Sequence, residues 1–211
     1  ATGDLDFALY VFPAVRTHIA RFEETIAGDP LGLWPVAGKY DNEALEGHYT
    51  GHSFWALLGL REAIGLAEAL GETADWEDFT AIHDSYSERF LAALGTITDQ
   101  TGGYITPGLD DPMAGKDWAN AGGGVYPFGV FAPDDPRVET TVNLIRPLKY
   151  QEGLLMYGMN AWALNQQVES GGADTDGTLH HYLTMYVTQT LLAQGRQREV
   201  LEDFYAVLAH T

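Results

Sequence analysis

Apolar residues three and four apart recur along almost the whole chain, and that spacing allows little besides helices. Leu5, Leu9, Phe12, Val15, Ile19, Phe22 and Ile26 lay out a helix over about residues 5–27, in which Pro13 is either a kink or the true first turn. Phe54, Leu57, Leu60, Ile64 and Ala67 form the inner face of a second helix over 50–71. Arg61, Gly65, Glu68 and Glu72 lie opposite, and Gly71 stops it. Trp76, Phe79, His83, Tyr86, Phe90 and Leu94 repeat the spacing through about 75–97. The stretch "TGGYITPGLDDPMAGKDWANAGGGVYPFGVF" is rich in Gly and Pro and reads as a long loop, then a short glycine-bearing element near 118–130.

Helical signals return in "APDDPRVETTVNLIRPLK". Asp135 is the N-cap, Pro136 the first helical residue, Val138 and Val142 face in, and Pro147 ends the helix. "YQEGLLMYGMNAWALNQQVESGGADTDG" leaves extended segment and helix both open. Leu179, Tyr182, Leu183, Tyr186, Val187, Thr190 and Leu191 give the clearest helix, broken by Gly195. On the last helix Val200, Leu201, Phe204, Tyr205 and Leu208 are expected to face in.

These patterns predict an all-α fold of helical hairpins, one domain over residues 1–211. No repeat of fixed length occurs, which disfavours a regular solenoid. The connections alternate: short at 72–74, about 131–134 and 195, and long at 28–49, 98–117 and 148–176. In an up-and-down array alternate connections lie at one end, so the long loops are expected to gather on one face. Long loops in compact domains are usually functional.

Composition narrows the partners. With 211 residues, 45% of them hydrophobic, the chain can bury a sizeable core. No apolar run reaches the roughly 18 residues of a membrane span. No signal peptide opens the chain, and a start without Met reads as a processed or trimmed product. The expectation is a soluble protein, cytoplasmic or secreted after processing. A net charge of −19 argues against nucleic acid and anionic membrane as partners. The absence of cysteine excludes disulfides, thiolate metal sites and a Cys nucleophile.

The long-loop face would collect Trp34, Tyr40, Asp41, Glu43, His48, Tyr104, Asp110, Asp111, Asp117, Trp118, Glu152 and Tyr157. Taken singly, such acids cap helices and such rings shield a core edge. Together they suit sugars, whose C–H faces stack on rings and whose hydroxyls bond to carboxylates. Glycoside cleavage needs two carboxyl groups, one of them protonated. His48 and His52 are four apart, but Tyr49, Thr50 and Gly51 lie between them where a zinc protease has its Glu, so no metal site is expected. His180 and His181 lack a spaced third ligand; one is expected buried and one near the site. "DTDG" at 174–177 reads as a turn with an N-cap rather than a calcium loop. No nucleotide-binding or nucleophile-elbow motif occurs, and no cofactor is expected.

The stretch "YDNEALEGHYTGHSFWALLGLREAIGLAEALG" resembles the six-hairpin (α/α)6 glycosidases, closest to the glucoamylase and glucodextranase type. Tyr40 takes the place of that family's Trp, Asp41 that of its catalytic acid, and Tyr49-Thr50 that of its aromatic-Thr step. "GVFAPDDPRVETTVNLIRPL", "EGLLMYG" and "TLHHYLTMYVTQTLLAQGRQREVLEDFYAVLAHT" extend the similarity over about residues 28–211. The chain departs from the family in two ways. Its acid position is Asp rather than Glu, with Glu43 two residues on, and the region that holds the family's base is missing. The resemblance implies a partial (α/α)6 toroid and acid-base hydrolysis of glycosidic bonds in a polysaccharide or oligosaccharide. Asp41 is then the acid, with Glu43 its rival. Trp34, Tyr40, Trp118 and Tyr157 would stack on sugar, and His48, Asp117 and Glu152 would bind hydroxyls. Open flanks lined by residues such as Leu183, Val187 and Phe12 would be covered by a second copy or by the remainder of a parent chain. Two alternatives stand beside this: a non-catalytic helical carbohydrate-binding or scaffold module, and a polysaccharide lyase, which the low Lys and Arg count disfavours.

Overall fold

The computed structural model describes residues 3–38, 40, 42–169 and 178–210. Helix α1 spans Leu5–Ala27, and its N-cap Asp4 accepts a hydrogen bond from the Phe7 amide at 3.0 Å. Pro13 lies inside α1 on an exposed side, where solvent can satisfy the carbonyl it leaves unbonded. Helix α2 spans Thr50–Leu70 and ends on Gly71, whose φ of 72° is the left-handed cap that glycine adopts without cost. Helix α3 (Thr73–Gln100) folds straight back along α2. Phe54, Leu57 and Leu60 pack with Phe79, Tyr86, Phe90 and Leu94, and α1 adds Phe12, Ile19 and Ile26 to the same core. Each such buried side chain contributes about 1.5–3 kcal/mol.

A second core lies beyond Trp118. A single 3₁₀ turn, Ala119–Gly122, packs against α2, against α4 (Pro136–Lys149) and against α6 (His181–Ala193). Tyr104, Val142, Ile145, Leu155, Leu183, Val187 and Leu191 fill this core, while Trp118 and Tyr186 touch both cores. Helix α4 runs two residues past Pro147 to Lys149, so that proline does not end it. The stretch read as ambiguous contains both structures. Strands β1 (Tyr150–Gln151), β2 (Leu154–Tyr157) and β3 (Thr178–His180) form an antiparallel sheet, and α5 (Ala161–Glu169) stands between β2 and β3. The described residues are thus mostly helical, as the spacing predicts, with one small sheet added.

Two expectations about burial are corrected. Leu183, Val187 and Phe12 are core residues at 0%, 0% and 2% exposure, so they line no open flank. Helix α7 (Gln197–Ala209) turns only Val200 of its apolar stripe toward the core; Leu201, Phe204, Tyr205 and Leu208 are all exposed. The helix docks instead through Asp203, which is fully buried and bonds to Arg146 and to Thr188, both at 2.8 Å. The first two turns of α1 likewise leave Leu5, Phe7, Leu9 and Tyr10 exposed.

Candidate functional site

The three long connections meet and bond to one another. The Thr50 amide donates to the Pro107 carbonyl at 2.8 Å and the Leu109 amide to the His48 carbonyl at 2.9 Å. The Lys116 amide donates to the Glu43 carbonyl at 2.7 Å, the Asn160 amide to the Gly115 carbonyl at 3.1 Å, and the Tyr157 hydroxyl to the Asn42 carbonyl.

Two polar knots, one around buried His48 and one around buried Asp117, hold this junction. The His48 ring lies between two carboxylates, with Nε2 3.0 Å from Asp29 Oδ2 and Nδ1 3.0 Å from Asp110 Oδ1. Burial disfavours the imidazolium, but the hydrogen bonds and charges of both aspartates outweigh it, so the pKa of His48 is raised. The second knot is Asp117. Its carboxylate accepts from Tyr104 OH, from Asn120 Nδ2 at 2.7 Å and from the Ala161 amide at 2.8 Å, and it pairs with Lys149 Nζ at 3.3 Å. Burial, then the Asp117 charge, pushes the Tyr104 hydroxyl well above its ordinary value, so it remains a donor.

Tyr49 and Trp118, the residues that follow His48 and Asp117 in the chain, help line a cavity of about 210 Å3. Glu43, Tyr49, His52, Trp55 and Trp118 line it, with Asn42, Gly51 and Ala119 completing the wall. The Glu43 side chain reaches it over Gly51 in the first turn of α2. A Cβ at Gly51 would stand 2.1 Å from Glu43 Oε1 and 2.8 Å from Ala119 Cβ, so glycine is what admits this carboxyl. His52 and Trp55 also line an adjoining cavity of about 360 Å3 with Phe22, Trp34 and Ala56. Trp118 anchors a cluster of rings, meeting Tyr182 at 4.9 Å and Tyr157 at 5.9 Å, with His180 5.0 Å from Tyr157. Two larger cavities, of about 630 and 720 Å3, lie elsewhere and have no aromatic lining.

The expected site residues separate accordingly. Glu43, Trp34 and Trp118 line the cavities, and Tyr157 braces Trp118. Asp41 lies outside the described residues, as does "DTDG" at 174–177. Tyr40 is 96% exposed and lines none of these cavities, so it offers no wall for a sugar to stack on. His48 and Asp117 are buried with their polar atoms occupied by protein, which makes them fasteners of the junction rather than ligands for hydroxyls. Glu152 stands at the opposite end of β2 from Tyr157, on the two-residue turn between β1 and β2, and bonds to His210 Nε2 at 2.8 Å. Of the histidine pair, His180 is half-buried among the rings and His181 is exposed. Trp55 and Tyr182 were not anticipated in the site. Trp55 follows Phe54 and so falls off the inner stripe of α2; a large ring at such a position was the available signal. Among the described residues no group of three or more His, Asp or Glu is arranged to hold a metal, and no helix is long and apolar enough to cross a membrane.

No protein-family profile, no curated protein and no solved structure matches the chain.

Proposed function

We propose that this chain is a portion of a glycoside hydrolase and that the cavity over Gly51 is where a saccharide is held. The single observation that carries this reading is the composition of that cavity: one nearly buried carboxyl, Glu43, faced by Trp55, Trp118 and His52. Exposed indole faces suit the C–H faces of a pyranose, and a carboxyl within such walls is positioned to donate a proton to a glycosidic oxygen. Glu43 takes that role here, and Asp41 is the candidate second carboxyl. The finer architecture belongs to the same proposal. Helix α2, the 3₁₀ turn and α6 form an inner row, with α3, α4 and α7 outside it, as in part of an (α/α)6 toroid. The exposed stripes of α1 and α7 are then covered by a second copy or by further helices of a parent chain.

One observation favours a second reading, a carbohydrate-binding module without catalysis: Glu43 is the one carboxylate among the described residues that line the two adjoining cavities. Measuring reducing-end release from neutral polysaccharides alongside calorimetric binding separates the two. Hydrolysis requires both signals; the module gives binding alone. Absence of both overturns the assignment of the cavity to sugars.

A further inference from the structure

Aromatic residues continue past the Glu43 cavity. Beyond Trp118 lies a third cavity of about 340 Å3, lined by Tyr126, Pro127, Tyr182, Met185, Tyr186 and Gln189. Ring contacts join residues of its wall to those of the candidate site. Tyr182 meets Trp118 at 4.9 Å with the planes near perpendicular. Tyr186 stacks parallel on Phe128 at 6.3 Å, and Phe128 meets Trp55 at 4.9 Å. Tyr126 and Tyr182 are 56% and 46% exposed, so their ring faces are open to a ligand.

The chemistry of the lining selects the ligand. No Asp, Glu, Lys or Arg lines this cavity or the one shared by Trp34 and Trp55. Lys116, beside the same ring cluster, has its Nζ over the Tyr157 ring at 4.3 Å. A uronate or a sulfated sugar would need cations to offset its desolvation, and the net charge of −19 repels it further. Tyrosine hydroxyls and the Gln189 amide can instead both donate to and accept from neutral hydroxyls.

We propose that this third cavity is a second saccharide subsite, taking a neighbouring ring of the same uncharged oligosaccharide that occupies the Glu43 cavity. The inference rests on the reading of the Glu43 cavity as a sugar site. The site then recognises a chain of neutral sugars rather than a single unit, and the wall formed by Tyr126 and Tyr182 sets its preference for length.

Calorimetric titration tests this with neutral malto- and cello-oligosaccharides from disaccharide to hexasaccharide, and with oligogalacturonates as the charged counterpart. In at least one neutral series, affinity is expected to rise with length in the unaltered protein. Tyr126→Ala and Gln189→Ala are expected to remove about tenfold of the affinity for the longer members while leaving the disaccharide unchanged. Both side chains are exposed, so neither change removes a core contact. Equal affinity for all lengths, or loss at all lengths alike in the variants, overturns the second subsite and leaves the Glu43 cavity standing. Tighter binding of oligogalacturonates overturns the neutral class. No binding at any length overturns the sugar site itself, and this inference with it.

Discussion

Asp117 and Lys149 form an ion pair at 3.3 Å inside the protein, with side chains 0% and 1% exposed. The pair joins the 101–117 connection to the end of α4, and Lys149 Nζ also donates to the carbonyls of Gly158, at 3.0 Å, and Met159. Removing one member leaves the other charge buried and unpaired, which costs about 3–5 kcal/mol. Lys149→Met is expected to lower the unfolding free energy, read by chemical denaturation, by that amount, whereas Lys149→Met with Asp117→Asn costs less than the sum of the two single changes. Strict additivity would show that the two charges do not act as a pair.

The Asp29–His48–Asp110 clamp makes the loop junction sensitive to pH. The folded pKa of His48 lies above the ordinary imidazole value of 6.5. Its contribution to stability is therefore fully present below pH 6.5 and is lost as pH rises through the folded value. Asp29 acts in the opposite direction. Burial raises its pKa, but the hydrogen bonds from His48 and the Leu33 and Leu31 amides prevail and hold it below 3.8. Its contribution is present above 3.8 and is lost as pH falls through its folded value. The clamp is thus firmest between those limits. The thermal midpoint should fall as pH is raised above 6.5, and His48→Gln should remove most of that fall. His210, raised by its bond to Glu152, titrates in the same direction but is exposed, so a fall that persists in His48→Gln would point there instead.

Gly51 is expected to matter more to activity than to folding. An alanine there must displace both the Glu43 carboxyl and Ala119. Overpacking of this kind costs about 1–3 kcal/mol of stability. Misplacing a reacting group by an ångström can cost about 100-fold in turnover. Gly51→Ala should therefore remain folded by circular dichroism while sugar turnover falls by about that factor. Wild-type turnover in Gly51→Ala would mean that the Glu43 position is not used.

Glu152→Ala should leave sugar binding unchanged, because its carboxylate faces His210 rather than the cavity. Gly153, the next residue, should be far less tolerant. With φ at 80° and an added Cβ 2.6 Å from Ala206 Cβ, Gly153→Ala is expected to cost about 1–3 kcal/mol. Chemical denaturation of the two variants distinguishes the outcomes, and equal stability would contradict the packing of this turn on α7.

The spacing of apolar residues was enough to locate α1, α2, α3, α4, α6 and α7, because a stripe such as Phe54–Leu57–Leu60 is a local property of the chain. It could not reveal what covers a stripe. Leu201, Phe204 and Leu208 have the same spacing as the buried Phe79, Ile82 and Tyr86, yet they face solvent, since α7 is anchored by Asp203. The hairpin at 150–157 was ambiguous because its strands are short and its turn is Glu-Gly rather than Asn-Gly. The acids were the hardest to sort. Asp117 and Glu43 look alike in sequence, and it is distant partners such as Lys149, 32 residues away, and the Ala161 amide that mark Asp117 as a fastener.

The most direct test of the central claim follows one variant through two readouts. Wild type and Glu43→Gln are titrated with a neutral oligosaccharide by calorimetry and then assayed for reducing-end release from the same ligand. The account predicts that both bind with similar affinity, that wild type releases reducing ends, and that Glu43→Gln releases at least about 100-fold fewer. Undiminished release by Glu43→Gln, or failure of wild type to bind any neutral saccharide, would contradict it.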